Sequence, residues 1–274
     1  MTQTVDEKAR RFAALHERPG AFVIPNPWDA GSARLLASLG FEALATSSGA
    51  CAGVLGRRDG RVSRAEAIAH AKAIVEATDL PVAADLENGF GDTPEDAAAT
   101  IREAGAVGLV GGSIEDSSGN PDKPIYDADH ALRRVEAAIA VARSLPTKFL
   151  LTARAENFIR GNPDLADTIR RLKTYEKAGA DILFAPGLPD LAAVKEVCAS
   201  LERPFNFMVG IKGRSFTVVD LTAAGVKRIS LATSLYRAAM TGLIDAAREV
   251  KDHGSFGYLD NSIPTPDLNA LLKS

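Results

Sequence analysis

Short apolar segments recur along the chain and alternate with longer amphipathic ones. Eight of these segments are four or five residues long and mostly apolar on both faces, which is typical of buried parallel strands. We predict strands over residues 21–24, 43–46, 81–84, 107–110, 148–152, 181–185, 204–208 and 228–232.

The intervening segments carry signals for the start of a helix. Ser63 and Glu66 have the spacing of a capping box, and Pro94 follows Thr93 at a predicted first helical position. Eight strands that alternate with helices predict an α/β fold of the (β/α)8 TIM barrel type, with an open doubly wound sheet as the alternative. Since no linker or change in composition divides the chain, we predict a single domain over residues 1–274.

Composition and charge narrow the possible partners. The formal net charge is −3, which argues against nucleic acid or an anionic membrane surface as a partner. No apolar run is long enough to span a membrane, and the first residues lack the apolar core of a signal peptide. Because Cys51 and Cys198 cannot form a disulfide framework and fit a reducing compartment, we expect a cytoplasmic protein.

Polar residues follow four consecutive predicted strands, at the end where TIM barrels carry their active sites. Strands two to five are followed by Ser47, Ser48 and Gly49, then by Asp85 and Glu87, then by Glu115, and finally by Arg154.

These residue types predict a cation and an anionic substrate. Three converging acids, Asp85, Glu87 and Glu115, would repel one another without a cation, and hard oxygen donors favour Mg²⁺, with Mn²⁺ as an alternative. Arg154 could bind a carboxylate, and the turn at Ser47 could offer backbone N–H groups to an oxyanion. This combination suits a small 2-oxo acid. In the alternative interpretation, Arg154 only pairs with Glu156, and the serines only form a turn.

Other residues receive a simpler interpretation. We interpret Asp92 and Asp116 as helix caps or surface acids, and the Gly111-Gly112 pair as either a phosphate-binding turn or a close backbone approach. None of the four histidines follows a predicted strand, which argues against a zinc site or a histidine base. Trp28 and Asn206 are candidates for the wall of the substrate pocket.

Taken together, the strand-end motifs resemble those of the isocitrate lyase/phosphoenolpyruvate mutase superfamily. The resemblance covers roughly residues 10–250 and includes residues 26–34 and 179–184. Its central motifs are Asp85-x-Glu87-x-Gly89-Phe90-Gly91, Ser113-Ile114-Glu115-Asp116 and Ala153-Arg154-Ala155-Glu156.

The resemblance implies a (β/α)8 barrel whose last helix is exchanged between subunits, in a homodimer or homotetramer. It implies that Asp85 contacts Mg²⁺ and that Glu87, Glu115 and Asp59 complete the surroundings of the ion, largely through water. Ser47 and Gly49 match the positions that bind the substrate's carboxylate and oxo groups, and Arg154 matches the carboxylate clamp.

Two departures from the superfamily pattern affect the predicted activity. The usual Asp-x-Asp reads Asp85-Leu86-Glu87, and the loop at residues 117–126 lacks the Cys and His of the isocitrate and methylisocitrate lyases. We therefore predict a Mg²⁺-dependent lyase that cleaves a carbon–carbon bond of a small 2-oxo or 2-hydroxy dicarboxylic acid, for example an oxaloacetate decarboxylase, with Ser47, Glu115 and Arg154 in catalytic roles. The alternatives are a carbon–phosphorus mutase or hydrolase, for which Asn120 and Lys123 match the loop residues only out of register, and a non-catalytic 2-oxo-acid binding protein.

Overall fold

Eight parallel strands alternate with helices in the computed structural model, which describes residues 3–272. The strands are β1 (Phe22–Ile24), β2 (Leu44–Ala45), β3 (Val82–Asp85), β4 (Gly111–Glu115), β5 (Leu150–Arg154), β6 (Ile182–Phe184), β7 (Phe205–Met208) and β8 (Arg228–Ser230).

The sheet curls into a barrel, as predicted. Its strand order is β1-β8-β7-β6-β5-β4-β3-β2, with every neighbouring pair parallel. At the remaining seam, between β1 and β2, Ala45 N donates to Pro25 O at 3.1 Å and Asn26 Nδ2 donates to Thr46 O at 2.9 Å. These bonds bring the two outer strands together, so the α/β barrel class is confirmed.

Helices follow the strands and cover the outside of the barrel. Two of the predicted start signals are confirmed: Ser63 and Glu66 form a reciprocal capping box, and Pro94 begins its helix. The helices are α1 (Val5–Glu17), α2 (Ala30–Ser38), α3 (Ser48–Val54), α4 (Arg64–Ala77), α5 (Pro94–Ala106), α6 (Ala128–Ser144), α7 (Leu165–Ala178), α8 (Leu191–Ala199), α9 (Val218–Ala223), α10 (Ser234–His253) and α11 (Thr265–Leu271), with a 3₁₀ turn at Gly257–Asn261.

The first helix closes the floor of the barrel. Phe12 of α1 is fully buried and belongs to the same apolar cluster as Phe22 and Ile182, which begin strands β1 and β6. Since the amino ends of parallel strands lie together, α1 plugs that end and leaves the carboxyl ends open for a site.

The fourth strand is displaced from its predicted position. Residues 107–110, which we predicted as the strand, are the connection after α5, where Gly108 has a φ of +87°. The strand begins at the glycine pair, and a Cβ on Gly112 would lie 2.7 Å from Leu86 Cδ1. Close packing therefore explains these glycines, and the interpretation as a phosphate-binding turn is wrong.

The last long helix contacts the core only through its first turn, where Leu235 packs against the main apolar cluster. None of the residues of α10 is buried, and Leu243 and Ile244 are exposed. Exchange of this helix between subunits, and the dimer or tetramer it would build, remain predictions. Among residues 3–272, no helix has both the length and the apolar character that crossing a membrane requires.

Candidate active site

A cavity of about 280 Å³ opens at the carboxyl ends of the strands. This volume suits a small molecule rather than a dinucleotide. The cavity brings together most of the residues predicted from the sequence: Ser47, Ser48, Gly49, Asp59, Asp85, Arg154 and Asn206 all line it. Glu87, Glu115 and Trp28 lie outside this lining.

The turn after β2 presents polar groups to the cavity. Ser47 is buried, and its hydroxyl makes no hydrogen bond within the described residues. Ser48 N lies 3.4 Å from Asp85 Oδ2, to which it donates a long hydrogen bond. Gly49 is required by close approach, since a Cβ there would lie 2.8 Å from Thr233 Cγ2 and 3.2 Å from Asp59 Oδ2. The turn thus holds the backbone amide of Ser48 beside Asp85 and brings Gly49 close to Asp59.

Three of the predicted acids, Asp59, Asp85 and Glu87, lie close to one another at this rim of the barrel. Asp85 ends β3, and Glu87 follows with a φ of +49°, a left-handed conformation that is uncommon outside glycine. Burial, together with the negative charges of Asp85 and Asp59, raises the pKa of Glu87 to about 7. Strained backbone and a perturbed carboxyl pKa are both features that concentrate at functional sites.

Arg154 lies at the centre of an acidic cluster. Its Nε donates to Glu156, while its Nη1 lies 3.3 Å from Glu115 Oε2 and 3.6 Å from Asp85 Oδ1. Burial alone would lower the pKa of Arg154, but these carboxylates raise it instead. The ion pair with Glu156 is therefore present, and Nη2 makes no hydrogen bond within residues 3–272. That nitrogen remains available to a ligand in the cavity.

A second arginine was missed by the sequence analysis. Arg160 Nη2 lies 3.2 Å from Glu115 Oε1, and its Nε donates to Glu156 Oε2 at 3.0 Å. Burial and the Glu156 carboxylate raise the pKa of Glu115 well above its ordinary value. Arg160 lies in the connection after β5, where its position in the sequence gives no sign that it returns to the site.

The donor set fits a divalent cation that keeps much of its water. Within residues 3–272, no three His, Cys, Asp or Glu side chains are close enough to surround a metal ion by themselves. However, the acids Asp59, Asp85, Glu87, Glu115 and Glu156 outnumber the two nearby guanidinium groups. Mg²⁺ commonly binds through one or two carboxylates and retains several waters, so these oxygen donors suit it.

One acid that we interpreted as a cap or surface residue is neither. Asp116 is 2% exposed and accepts hydrogen bonds from Glu156 N at 2.8 Å, Arg171 Nη1 at 3.0 Å and the Tyr175 hydroxyl at 3.0 Å. The interpretation is wrong because its carboxylate ties α7 to the end of β5 behind the site. Asp92, by contrast, is exposed, as expected.

The two candidate wall residues differ in placement. Asn206 lines the cavity with its amide fully engaged: its Oδ1 accepts from Arg228 Nε at 2.8 Å and its Nδ2 donates to Ser230 Oγ at 3.0 Å. Trp28 packs edge-on against Tyr236, with 5.7 Å between the ring centroids. A substrate-binding role for either residue remains a prediction.

The chain matches known proteins over most of its length. The family model described as phosphoenolpyruvate phosphomutase matches residues 12–251. A solved structure from Burkholderia cenocepacia J2315, provisionally named a lyase/mutase, is 47% identical, with a TM-score of 0.96 and coverage of 98% of this chain and 97% of the other.

Two further relatives carry more specific names. A structure from Burkholderia cenocepacia J2315, provisionally named a phosphonomutase, is 35% identical, has a TM-score of 0.83, and covers 90% of this chain and 99% of its own. A 2,3-dimethylmalate lyase from Eubacterium barkeri is 27% identical over 91% of this chain and 89% of its own length. Both carbon–carbon and carbon–phosphorus chemistry are therefore represented among the names of similar proteins.

Proposed function

Since the chain belongs to the phosphoenolpyruvate phosphomutase family, we propose that it is a Mg²⁺-dependent lyase. Its substrate would be a small 2-oxo or 2-hydroxy dicarboxylic acid, in which it would cleave a carbon–carbon bond. The observation that carries the proposal is the shared cavity, whose lining combines the Ser47–Gly49 turn, the carboxylates of Asp59 and Asp85, and Arg154.

Each part of this lining has a task in such a reaction. Bond cleavage leaves an electron pair next to a carbonyl or carboxylate group, so negative charge develops on oxygen as an enolate. The backbone amides of Ser48 and Gly49 and the hydroxyl of Ser47 would stabilise that oxygen by donating hydrogen bonds. Arg154 Nη2 would bind the substrate carboxylate and fix its orientation.

The acids would hold the cation. Asp85 and Asp59 line the cavity directly, whereas Glu87 and Glu115 lie behind this lining and would act through water. When bound, Mg²⁺ supplies Lewis-acid stabilisation of the developing charge. Glu115 also contacts both Arg154 and Arg160, so it would keep the carboxylate clamp charged and in place.

Pyruvate release, coupled to lactate dehydrogenase, tests the proposal. The substrates would be the dicarboxylic acids oxaloacetate and 2,3-dimethylmalate, each with Mg²⁺ and with EDTA. Asp85→Asn removes the charge that faces the cavity, and Asp122→Asn at an exposed loop position is the matched control. We expect Mg²⁺-dependent release from one of these substrates, which is lost in Asp85→Asn and kept in the control.

Comparison with Asp85→Asn also removes a specific artefact, because oxaloacetate loses CO₂ spontaneously and free metal ions accelerate that loss. Equal release by the wild type and by Asp85→Asn would therefore contradict the proposal. Tight, Mg²⁺-dependent binding of oxalate without turnover of any substrate would instead indicate a 2-oxo-acid binding protein.

A carbon–phosphorus enzyme is the second candidate, favoured by the 35% identity to the provisionally named phosphonomutase. The loop at residues 117–126 offers this candidate little support. Lys123 is exposed and pairs with Asp127 Oδ2 at 2.8 Å, and neither Lys123 nor Asn120 lines the cavity. Conversion or hydrolysis of phosphonopyruvate, followed by ³¹P NMR, would decide in its favour.

A further inference from the structure

Besides Arg154, Arg228 also lines the cavity, on the side nearer to the floor of the barrel. Arg228 is the first residue of β8, whereas Arg154 is the last residue of β5. Because all eight strands run in the same direction, Arg228 lies nearer to the floor of the barrel. It is 7% exposed and lines the same cavity as Asp85 and Arg154.

The guanidinium group of Arg228 has only neutral partners. Its Nε donates to Asn206 Oδ1 at 2.8 Å, and its Nη2 donates to Thr152 Oγ1 at 3.0 Å. Nη1 donates no hydrogen bond within residues 3–272, and in that part of the chain no carboxylate oxygen lies within 4 Å of the group. Burial lowers the pKa of Arg228 to about 9, which reflects the unfavourable environment of its charge.

Three other buried arginines have either a carboxylate partner or more hydrogen-bond acceptors than Arg228. Arg154 and Arg171 pair with carboxylates. Arg134 has no carboxylate partner, but it donates to the backbone carbonyls of Asn88, Gly91 and Thr93. A buried cation without a counter-ion is costly unless a ligand compensates it.

The barrel leaves space for such a ligand above Arg228. The small residues Ala45, Ala83 and Gly112 on strands β2 to β4 line the cavity together with Arg228. Asn206 holds the guanidinium group through Nε, so Nη1 keeps its hydrogen-bonding capacity for a planar anionic group in the cavity. Arginine binds carboxylates through such paired N–H groups.

We propose that Arg228 binds a second carboxylate of the substrate, so that the site selects doubly charged 2-oxo or 2-hydroxy acids over singly charged ones of equal length. This inference rests on the proposed function, in which the first carboxylate lies at the rim near Arg154. It makes Arg228 a determinant of specificity.

Matched ligand pairs test this inference by calorimetry in the presence of Mg²⁺. The pairs are 2-oxoglutarate with 2-oxovalerate and malate with 2-hydroxybutyrate, which differ mainly in the second carboxylate. We expect at least one dicarboxylate to bind about tenfold or more tightly than its partner, as expected for a charge-assisted hydrogen bond. Arg228→Gln should remove that preference, whereas the affinity for oxalate, which is too short to reach Arg228, should stay within about twofold.

Two further measurements distinguish the loss of a specific contact in Arg228→Gln from a general loss of folding. Arg228→Lys keeps the charge but loses the planar fork, so it should restore only part of the preference. The melting temperature of Arg228→Gln should not fall, because the variant removes an uncompensated buried charge.

The outcomes separate this inference from the function on which it rests. Oxalate binding together with equal affinities within both wild-type pairs would overturn the role of Arg228 and leave the rim site standing. A preference that persists in Arg228→Gln would also overturn it. Failure of oxalate and of every other ligand to bind would refute the proposed function and this inference with it.

Discussion

The buried acid behind the site, Asp116, should be among the most sensitive positions for stability. Asp116→Ala would remove the acceptor of Glu156 N and of the Tyr175 hydroxyl. It would also remove one of the two acceptors of Arg171 Nη1, which still donates to Tyr126 O at 3.0 Å. Breaking a buried ion pair from one side costs about 3–5 kcal/mol, because the remaining charge is left uncompensated. Arg171 also keeps a carboxylate partner, since its Nε donates to Asp167 Oδ2 at 2.9 Å. We therefore expect a loss near the lower limit, about 3 kcal/mol.

Asp116→Asn should cost less than Asp116→Ala. The amide oxygen can still accept from Glu156 N, and burial raises the pKa of Asp116, so the charged form is itself disfavoured at this position. We expect the asparagine variant to lose about 1.5–2 kcal/mol, the lower part of the range for one hydrogen bond with a charged group.

Urea unfolding followed by circular dichroism, together with calorimetric melting, measures both losses. For a chain of this size, about 3 kcal/mol corresponds to a melting temperature lower by roughly 6–12 °C. Asp122→Ala is the matched control, because its side chain is exposed in a loop and should change stability by less than about 0.5 kcal/mol. If Asp116→Ala loses no more than this control, the carboxylate does not hold α7 to the site.

Three smaller predictions concern protonation, close packing and capping. Burial lowers the pKa of His16 from 6.5 to about 3, so stability should fall as the pH falls below 6.5, by about 2–3 kcal/mol at about pH 4.5, and His16→Gln should reduce that slope in urea unfolding. Gly49→Ala places a Cβ 3.2 Å from Asp59 Oδ2 and should weaken Mg²⁺ binding about tenfold by calorimetry, whereas Gly242→Ala, with open space around it, should not. Thr93→Ala removes a helix cap and should cost about 1 kcal/mol in the same unfolding assay.

Each of these predictions has an outcome that would contradict it. An unchanged acid slope in His16→Gln would mean that other groups carry the pH dependence. Equal Mg²⁺ affinity in the two glycine variants would separate Gly49 from the metal site. An unchanged unfolding midpoint in Thr93→Ala would show that packing alone fixes the start of α5.

The sequence pattern predicts the barrel well because buried parallel strands are apolar on both faces. Seven of the eight predicted strands overlap the observed ones. The fourth does not, because its apolar lead-in at residues 107–110 precedes a strand that begins with Gly111 and Gly112. Glycine is disfavoured in strands, and only the tertiary contact with Leu86 shows why it is used there.

The site is predicted less completely than the fold. The position of Ser47, Asp85 and Arg154 at strand ends was enough to predict that they lie together, and all three line one cavity. It could not distinguish Asp116, which immediately follows Glu115 but serves as a structural anchor. Whether such an acid is structural depends on hydrogen-bond partners that are distant in the sequence. The positions of these partners depend on how the helices pack against the barrel.

Arg228, in the wall of the barrel, was not predicted as a site residue for a different reason. Arg228 is the first residue of the predicted strand at 228–232 and directly follows Lys227, so it reads as part of a charged lead-in to an apolar segment. A charge inside a buried strand is nevertheless a specific signal, because such a residue requires a partner or a ligand. A charged residue in a buried strand is therefore a candidate site residue in the same way as a polar residue at a strand end.

The two ends of the cavity carry opposite charges, and this difference would orient a bound substrate. At the rim, Asp59 and Asp85 favour a cation; toward the floor, Arg228 favours an anion. A singly charged acid could satisfy the cation at the rim but would leave Arg228 buried and uncompensated. A dicarboxylate could satisfy both ends at once, provided that its second carboxylate reaches down the barrel.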